Sequence, residues 1–178
     1  MKLKTLIAAG AIAGSFGLSG AASAATVDFT VDAKANSITG GNLSRGLDTV
    51  SLVAGQMFSI AADILDTWSL GNRASLVSTA EGLTSKSYTF LGATFDHGTL
   101  VGRVGDGAFF KVGTSVAMAA DVTGVLRLFM WDKNNWDNSG SILASVSTSD
   151  IVPVPLPGGA PLLLAGVAGL ALLRRRKA

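Results

Sequence analysis

The chain is 178 residues long, has no cysteine and one histidine, and carries a formal net charge of +2. Two basic residues precede residue 25 and four follow residue 150, so residues 25–150 hold eight Lys and Arg against twelve Asp and Glu, a net −4. An acidic stretch with singly scattered basic residues excludes nucleic-acid binding through phosphate neutralisation, and the missing thiol excludes disulfide staples and a cysteine nucleophile.

The chain opens with Lys2 and Lys4, an apolar run over 6–18 and the small-residue triplet Ala22-Ser23-Ala24. A short basic start, an apolar centre too short to span a bilayer and a small-residue end make a secretory signal peptide over 1–24, read by the Sec translocon and cut by signal peptidase. The mature chain is expected to begin at Ala25, outside the cytoplasm.

Residues 25–150 form one domain, 126 residues long, whose apolar interior must offset chain entropy without covalent help. Short alternating apolar runs recur between Gly, Asn and Asp clusters, and no stretch keeps a helical period for three turns, which makes the domain all-β. The strands expected are 27–33, 50–53, 57–63, 99–104, 108–112, 115–119, 125–131 and 141–147. In 125–131, Leu126, Leu128 and Met130 share one face and Arg127 lies on the other, the pattern of a strand with one buried side. Short strands with glycine-marked turns give a two-sheet β-sandwich of jelly-roll type. Residues 71–97 carry weak strand signals and are expected to pass over one end of it as a long excursion.

The segment from Trp131 to Gly140 is the most distinctive of the domain. Asp132 ends an apolar strand and Asp137-Asn138 approach the next, so a tight loop between them can gather carboxylate, amide and main-chain oxygens. Calcium takes six to eight such oxygens, whereas Asp and Asn also populate turns through local hydrogen bonds; the residues alone leave both readings open. Trp131 and Trp136 have two readings each: an apolar face for a sugar ring, or core and sheet-edge cover. Trp68 reads as a packing residue.

The order Gly98-Thr-Leu-Val-Gly-Arg103-Val-Gly105, Val112-Gly113, Gly124-Val-Leu-Arg-Leu and Asp132 through Asp137-Asn138-Ser139-Gly140 resembles the second half of the calcium-dependent PA-I galactophilic lectins. Upstream, Ala54-Gly55-Gln56 leading into Phe58-Ser-Ile60, with Thr67-Trp68 followed by Gly71, is similar to the first half. The resemblance implies a galactose-binding-domain-like sandwich and a Ca2+ cofactor held by Asp132, Asp137 and Asn138, with main-chain carbonyls from Leu70 and Asn135. It also implies a glycan seated at Asp132, Asp137 and Trp136. The loop after Asp132 is two residues shorter than in that family, Asp137 stands where asparagine is usual, and no His and Gln align for the far side of the sugar. Two carboxylates imply an affinity on the order of 0.1–1 mM, as in other extracellular calcium modules.

Catalysis is not expected. His97, in Phe95-Asp96-His97-Gly98, reads as a turn before a strand and alone cannot build a zinc site. Asp63 and Asp66 would need a shared cleft to act as an acid and base pair.

The chain closes on Val154-Pro155-Leu156-Pro157, an apolar run over 162–173 and the cluster Arg174-Arg175-Arg176-Lys177. No charge occurs over 151–173, 23 residues, enough to cross a hydrocarbon layer that needs about 20 apolar positions, with the basic end cytoplasmic. This order resembles the VPLPA/PEP class of C-terminal sorting signals, with Gly158 where alanine is common. The resemblance implies a single hydrophobic helix over 151–178 that holds the exported protein at the inner membrane. An exosortase-type membrane protease then cuts near the prolines and releases the domain to the cell surface or matrix. The function expected is thus a non-enzymatic, exported protein that binds extracellular polysaccharide or another glycan; the alternative is a structural or protein-binding surface protein with no sugar.

Overall fold

Eleven strands, in a computed structural model that describes residues 24–149, form two facing sheets. The expected signal peptide and the sorting tail with its prolines and arginines lie outside the described residues. In chain order the strands are β1 (Ala24–Asp32), β2 (Leu47–Leu52), β3 (Met57–Ala62), β4 (Trp68–Ser69), β5 (Val77–Ser78) and β6 (Glu81–Phe90). Then come β7 (Ala93–Val104), β8 (Phe109–Lys111), β9 (Ser115–Ala119), β10 (Gly124–Met130) and β11 (Ser139–Ser149).

One sheet runs β5-β4-β11-β3-β9, with β1 also on β11; the other runs β2-β10-β7-β6, with β8 on β7. Every named pairing is antiparallel. The first and last strands pair with each other, from Ala24↔Ser149 to Asp32↔Ser141, which closes the fold on itself.

Alternation decides which side chains enter the interior. On β11, Ile142, Ala144 and Val146 point inward, with Ala144 and Val146 registered against Ala62 and Ile60 of β3. Across the interior stand Leu126, Leu128 and Met130 of β10, with Leu100 and Val104 of β7 registered beside Met130 and Leu126. These buried faces confirm the two-sheet β-sandwich and the inward set expected on β10.

The expectation of a single buried side on that strand needs correction. Val101, Phe129 and Trp131 point to the outer face of the β10–β7 sheet, where a second apolar cluster forms with Ile38. Leu43, Tyr88, Phe90, Phe95 and Phe109 close over it. Trp131 meets Phe95 edge-on at 5.0 Å and Phe109 at 5.2 Å between ring centres, and its Nε1 donates to the Tyr88 carbonyl at 2.7 Å. Trp131 is therefore core and offers no face to a ligand. Among the described residues, both clusters draw on residues between Phe29 and Val146, so the two sheets enclose a core of their own.

Residues 71–97 are the second correction. They form β5, β6 and the start of β7 rather than a loose excursion. Phe90 pairs with Ala93, so β6 and β7 are joined by the two-residue turn Leu91-Gly92. Both turn residues have positive φ, 47° and 78°, as the right-handed twist of a hairpin favours. Leucine is an uncommon occupant of that conformation, and its presence removes the Asn-Gly signal that marks such turns.

Candidate functional site

Pairing between β7 and β10 continues past the end of β10: Trp131 N–H donates to the Thr99 carbonyl at 2.8 Å, and Gly98 N–H to the Trp131 carbonyl at 2.9 Å. The next residues on each side are then neighbours, and His97 Nδ1 lies 3.1 Å from Asp132 Oδ1. Asp132 is only 4% exposed. The buried Ser37 hydroxyl donates to its main-chain carbonyl at 2.9 Å, and Asn134 N–H approaches the same Oδ1 at 3.3 Å. Two contacts on Oδ1 and one on the main-chain carbonyl leave Asp132 little freedom, which is what a preformed binding group needs.

The opposite wall comes from the segment after β4. Trp68 is buried and its Nε1 donates to the Gly98 carbonyl at 2.8 Å, as a buried indole requires; this bears out its reading as a packing residue. Leu70 N–H donates to the Leu76 carbonyl at 2.9 Å, which turns the chain back. At Gly71 a Cβ would stand 2.8 Å from Asp137 Oδ2, so the carboxylate lies against bare backbone. Gly98 has a φ of +79°, and a Cβ there would stand 2.9 Å from Leu70 Cδ1. Two glycines thus let the walls approach.

Asn138 opens β11 and is 4% exposed. Its Nδ2 donates to the Ala33 carbonyl at 3.2 Å and lies 3.4 Å from Met130 Sδ. Its Oδ1 is buried with no hydrogen-bond partner. A buried acceptor left unpaired costs about 1–3 kcal/mol, so an external donor or a cation would relieve it.

Leu70, Asp132 and Asp137, separate in the chain, line one pocket of about 440 Å³. His97, Lys86 and Lys133 line it with them. Asn135, Trp136 and Asn138 do not. The Asn135 side chain donates to the Lys34 carbonyl at 2.8 Å, and its own carbonyl accepts Asn138 N–H at 3.3 Å. Trp136 is 68% exposed and away from the lining. A second pocket of about 230 Å³, beside Met57 and Ser149, has no titratable lining.

Among the described residues no three His, Asp or Glu side chains converge as a metal cluster. Any cation here must therefore draw on amide and main-chain oxygens. The lining brings together the Asp132 and Asp137 carboxylates with Leu70 and Asn134, and Asn138, next to Asp137 in the chain, carries a buried unpaired Oδ1 outside that lining; oxygen donors of these kinds fit a hard cation such as calcium. Asp63 and Asp66 are occupied elsewhere: Oδ1 of Asp63 accepts Leu65 N–H at 2.8 Å, and Oδ2 of Asp66 accepts Leu143 N–H at 2.7 Å. They are turn and edge caps.

His97, read from the sequence as a turn before a strand, instead lies within β7 and faces the pocket, and Lys86 escaped sequence reading. For His97 a signal existed, because antiparallel neighbours 99–104 and 125–131 must place the start of one beside the end of the other. For Lys86 there was none, since its strand is polar.

No family model and no curated protein matches this chain. Solved structures do match its fold, among them one described as "EclA N-terminal domain; PllA-like lectin", with a TM-score of 0.51, 25% sequence identity, and coverage of 68% of this chain and 94% of that one. The chain is thus an all-β, two-sheet sandwich of lectin-like fold.

Proposed function

We propose that this protein is an exported, non-enzymatic lectin-like module that binds a glycan through calcium. The observation that carries the reading is the meeting of Leu70, Asp132 and Asp137 at one pocket, beside a buried Asn138 whose Oδ1 has no partner. The likeness to a domain described as a PllA-like lectin supports it, since that domain is matched over 94% of its length.

In this reading Asp132, Asp137, Asn138 and the Leu70 carbonyl would hold Ca2+, without Asn135. Calcium, when bound, would supply a positive centre for two sugar hydroxyls. Asp132 and Asp137 would accept hydrogen bonds from the sugar hydroxyls, His97 fixes the Asp132 carboxylate, and Trp136 offers its exposed face to a sugar that extends beyond the pocket. The signal peptide brings the chain through the Sec translocon. The tail with Val154-Pro155-Leu156-Pro157 and Arg174-Arg175-Arg176 holds it at the inner membrane for an exosortase-type protease, and the mature module reaches the surface or matrix.

The test is retention of residues 25–150 on immobilised polysaccharide from the producing cells in calcium, with release by chelator. Retention that ignores chelator contradicts the calcium mechanism. Mature protein found only in the periplasm contradicts the sorting.

A further inference from the structure

The pocket holds more positive charge than calcium coordination uses. Ladder pairing between β6 and β7 runs from Leu83↔His97 to Ser87↔Asp96, which leaves Thr84, Ser85 and Lys86 without counterparts on β7. Bulges of this kind re-aim side chains beside functional sites, and this one places Lys86 in the pocket lining beside Lys133. Among the described residues, Arg103, Lys111 and Arg127 each pair with a carboxylate of the sandwich; Lys86 and Lys133, like Lys34, Arg45 and Arg73, enter no ion pair, and of these five only Lys86 and Lys133 line the pocket. On a domain of net charge −4, two free ammonium groups at one pocket run against the overall balance.

This step rests on the calcium reading. A divalent ion held by Asp132 and Asp137 would offset both carboxylates, and the charge left at the rim would then be that of the two lysines. We infer that the pocket selects an anionic glycan, whose hydroxyls go to the cation and whose carboxylate or sulfate group goes to Lys86 and Lys133. A neutral sugar leaves both lysines unanswered. Rim charges of this kind act on selectivity and association more than on fold.

Residues 25–150 are titrated in millimolar calcium with a short oligogalacturonate, the same oligosaccharide reduced at its carboxyls to a neutral form, and a sulfated galactan oligosaccharide. The wild type is expected to bind an anionic ligand about tenfold more tightly than the neutral one. The exposed pair Lys86→Ala/Lys133→Ala removes that preference and keeps the calcium-induced thermal shift. Which anionic ligand binds better identifies carboxylate or sulfate as the natural group. Equal affinity for neutral and anionic forms, with the calcium shift intact, overturns the inference and leaves the lectin reading standing. No glycan bound in calcium ends the lectin reading, and the inference with it.

Discussion

Trp68 Nε1 donates to the Gly98 carbonyl, and Gly98 N–H donates to the Trp131 carbonyl. One glycine thereby ties β4 to β7 and β7 to the end of β10, the three places from which Leu70, His97 and Asp132 reach the pocket. Trp68→Phe keeps most of the apolar volume and orphans the Gly98 carbonyl. It is expected to cost about 1–3 kcal/mol in urea unfolding and to weaken the calcium response as the Leu70 wall loosens.

His97 acts on the site through Asp132. His97→Phe preserves ring volume and removes the group beside Oδ1, so the calcium midpoint is expected to rise about tenfold, the usual effect of losing a partner that orients a ligand. Calcium titration followed by intrinsic tryptophan fluorescence reads this. An unchanged midpoint would mean that the loop alone holds Asp132.

The two tryptophans of the loop should behave oppositely. Trp131→Ala empties a fully buried site among four aromatic rings and is expected to cost about 3–5 kcal/mol. Trp136→Ala, at an exposed position, should leave stability within about 0.5 kcal/mol and lower glycan affinity. Chemical denaturation and glycan binding on both variants separate the two roles.

Glu81 gives the sandwich an acid-sensitive clasp. The Lys111 ammonium at 2.7 Å, followed by the Thr114 N–H at the same distance, holds its carboxyl below the ordinary value of 4.5. Because the folded state binds the proton more weakly than the unfolded chain, the stabilisation is complete above the unfolded value and disappears as pH falls through the folded one. Glu81→Gln should therefore destabilise at neutral pH, by under about 1 kcal/mol for so exposed a pair. The gap from wild type should close in acid. Unfolding curves at neutral and acidic pH check the sign.

How much of this was legible follows from what each residue's signal depends on. The inward faces of β3, β10 and β11 were readable because burial on one side imposes alternation, visible in Leu126, Leu128 and Met130. Strand β6 was not, because an edge strand with mostly exposed, polar side chains is held by backbone pairing to β7 rather than by burial. Trp131 stayed open between core and ligand face for a related reason: its face is closed by Tyr88, Phe90 and Phe95 from the region read as an excursion. At the site, Asp132, Asp137 and Leu70 came from resemblance to a lectin motif and meet at one pocket. Asn135, Trp136 and Asn138, drawn from the same loop, stand outside its lining, since sequence spacing does not say how a short loop turns its side chains.

Thermal unfolding of residues 25–150, in chelator and across millimolar calcium, tests the central claim most directly, with Asp132→Asn as the near-isosteric control. A native-state site predicts a melting temperature that rises by about 3–8 °C at roughly tenfold excess over Kd and an Asp132→Asn variant that does not respond. A wild-type melting temperature that stays flat through several millimolar calcium would contradict the account.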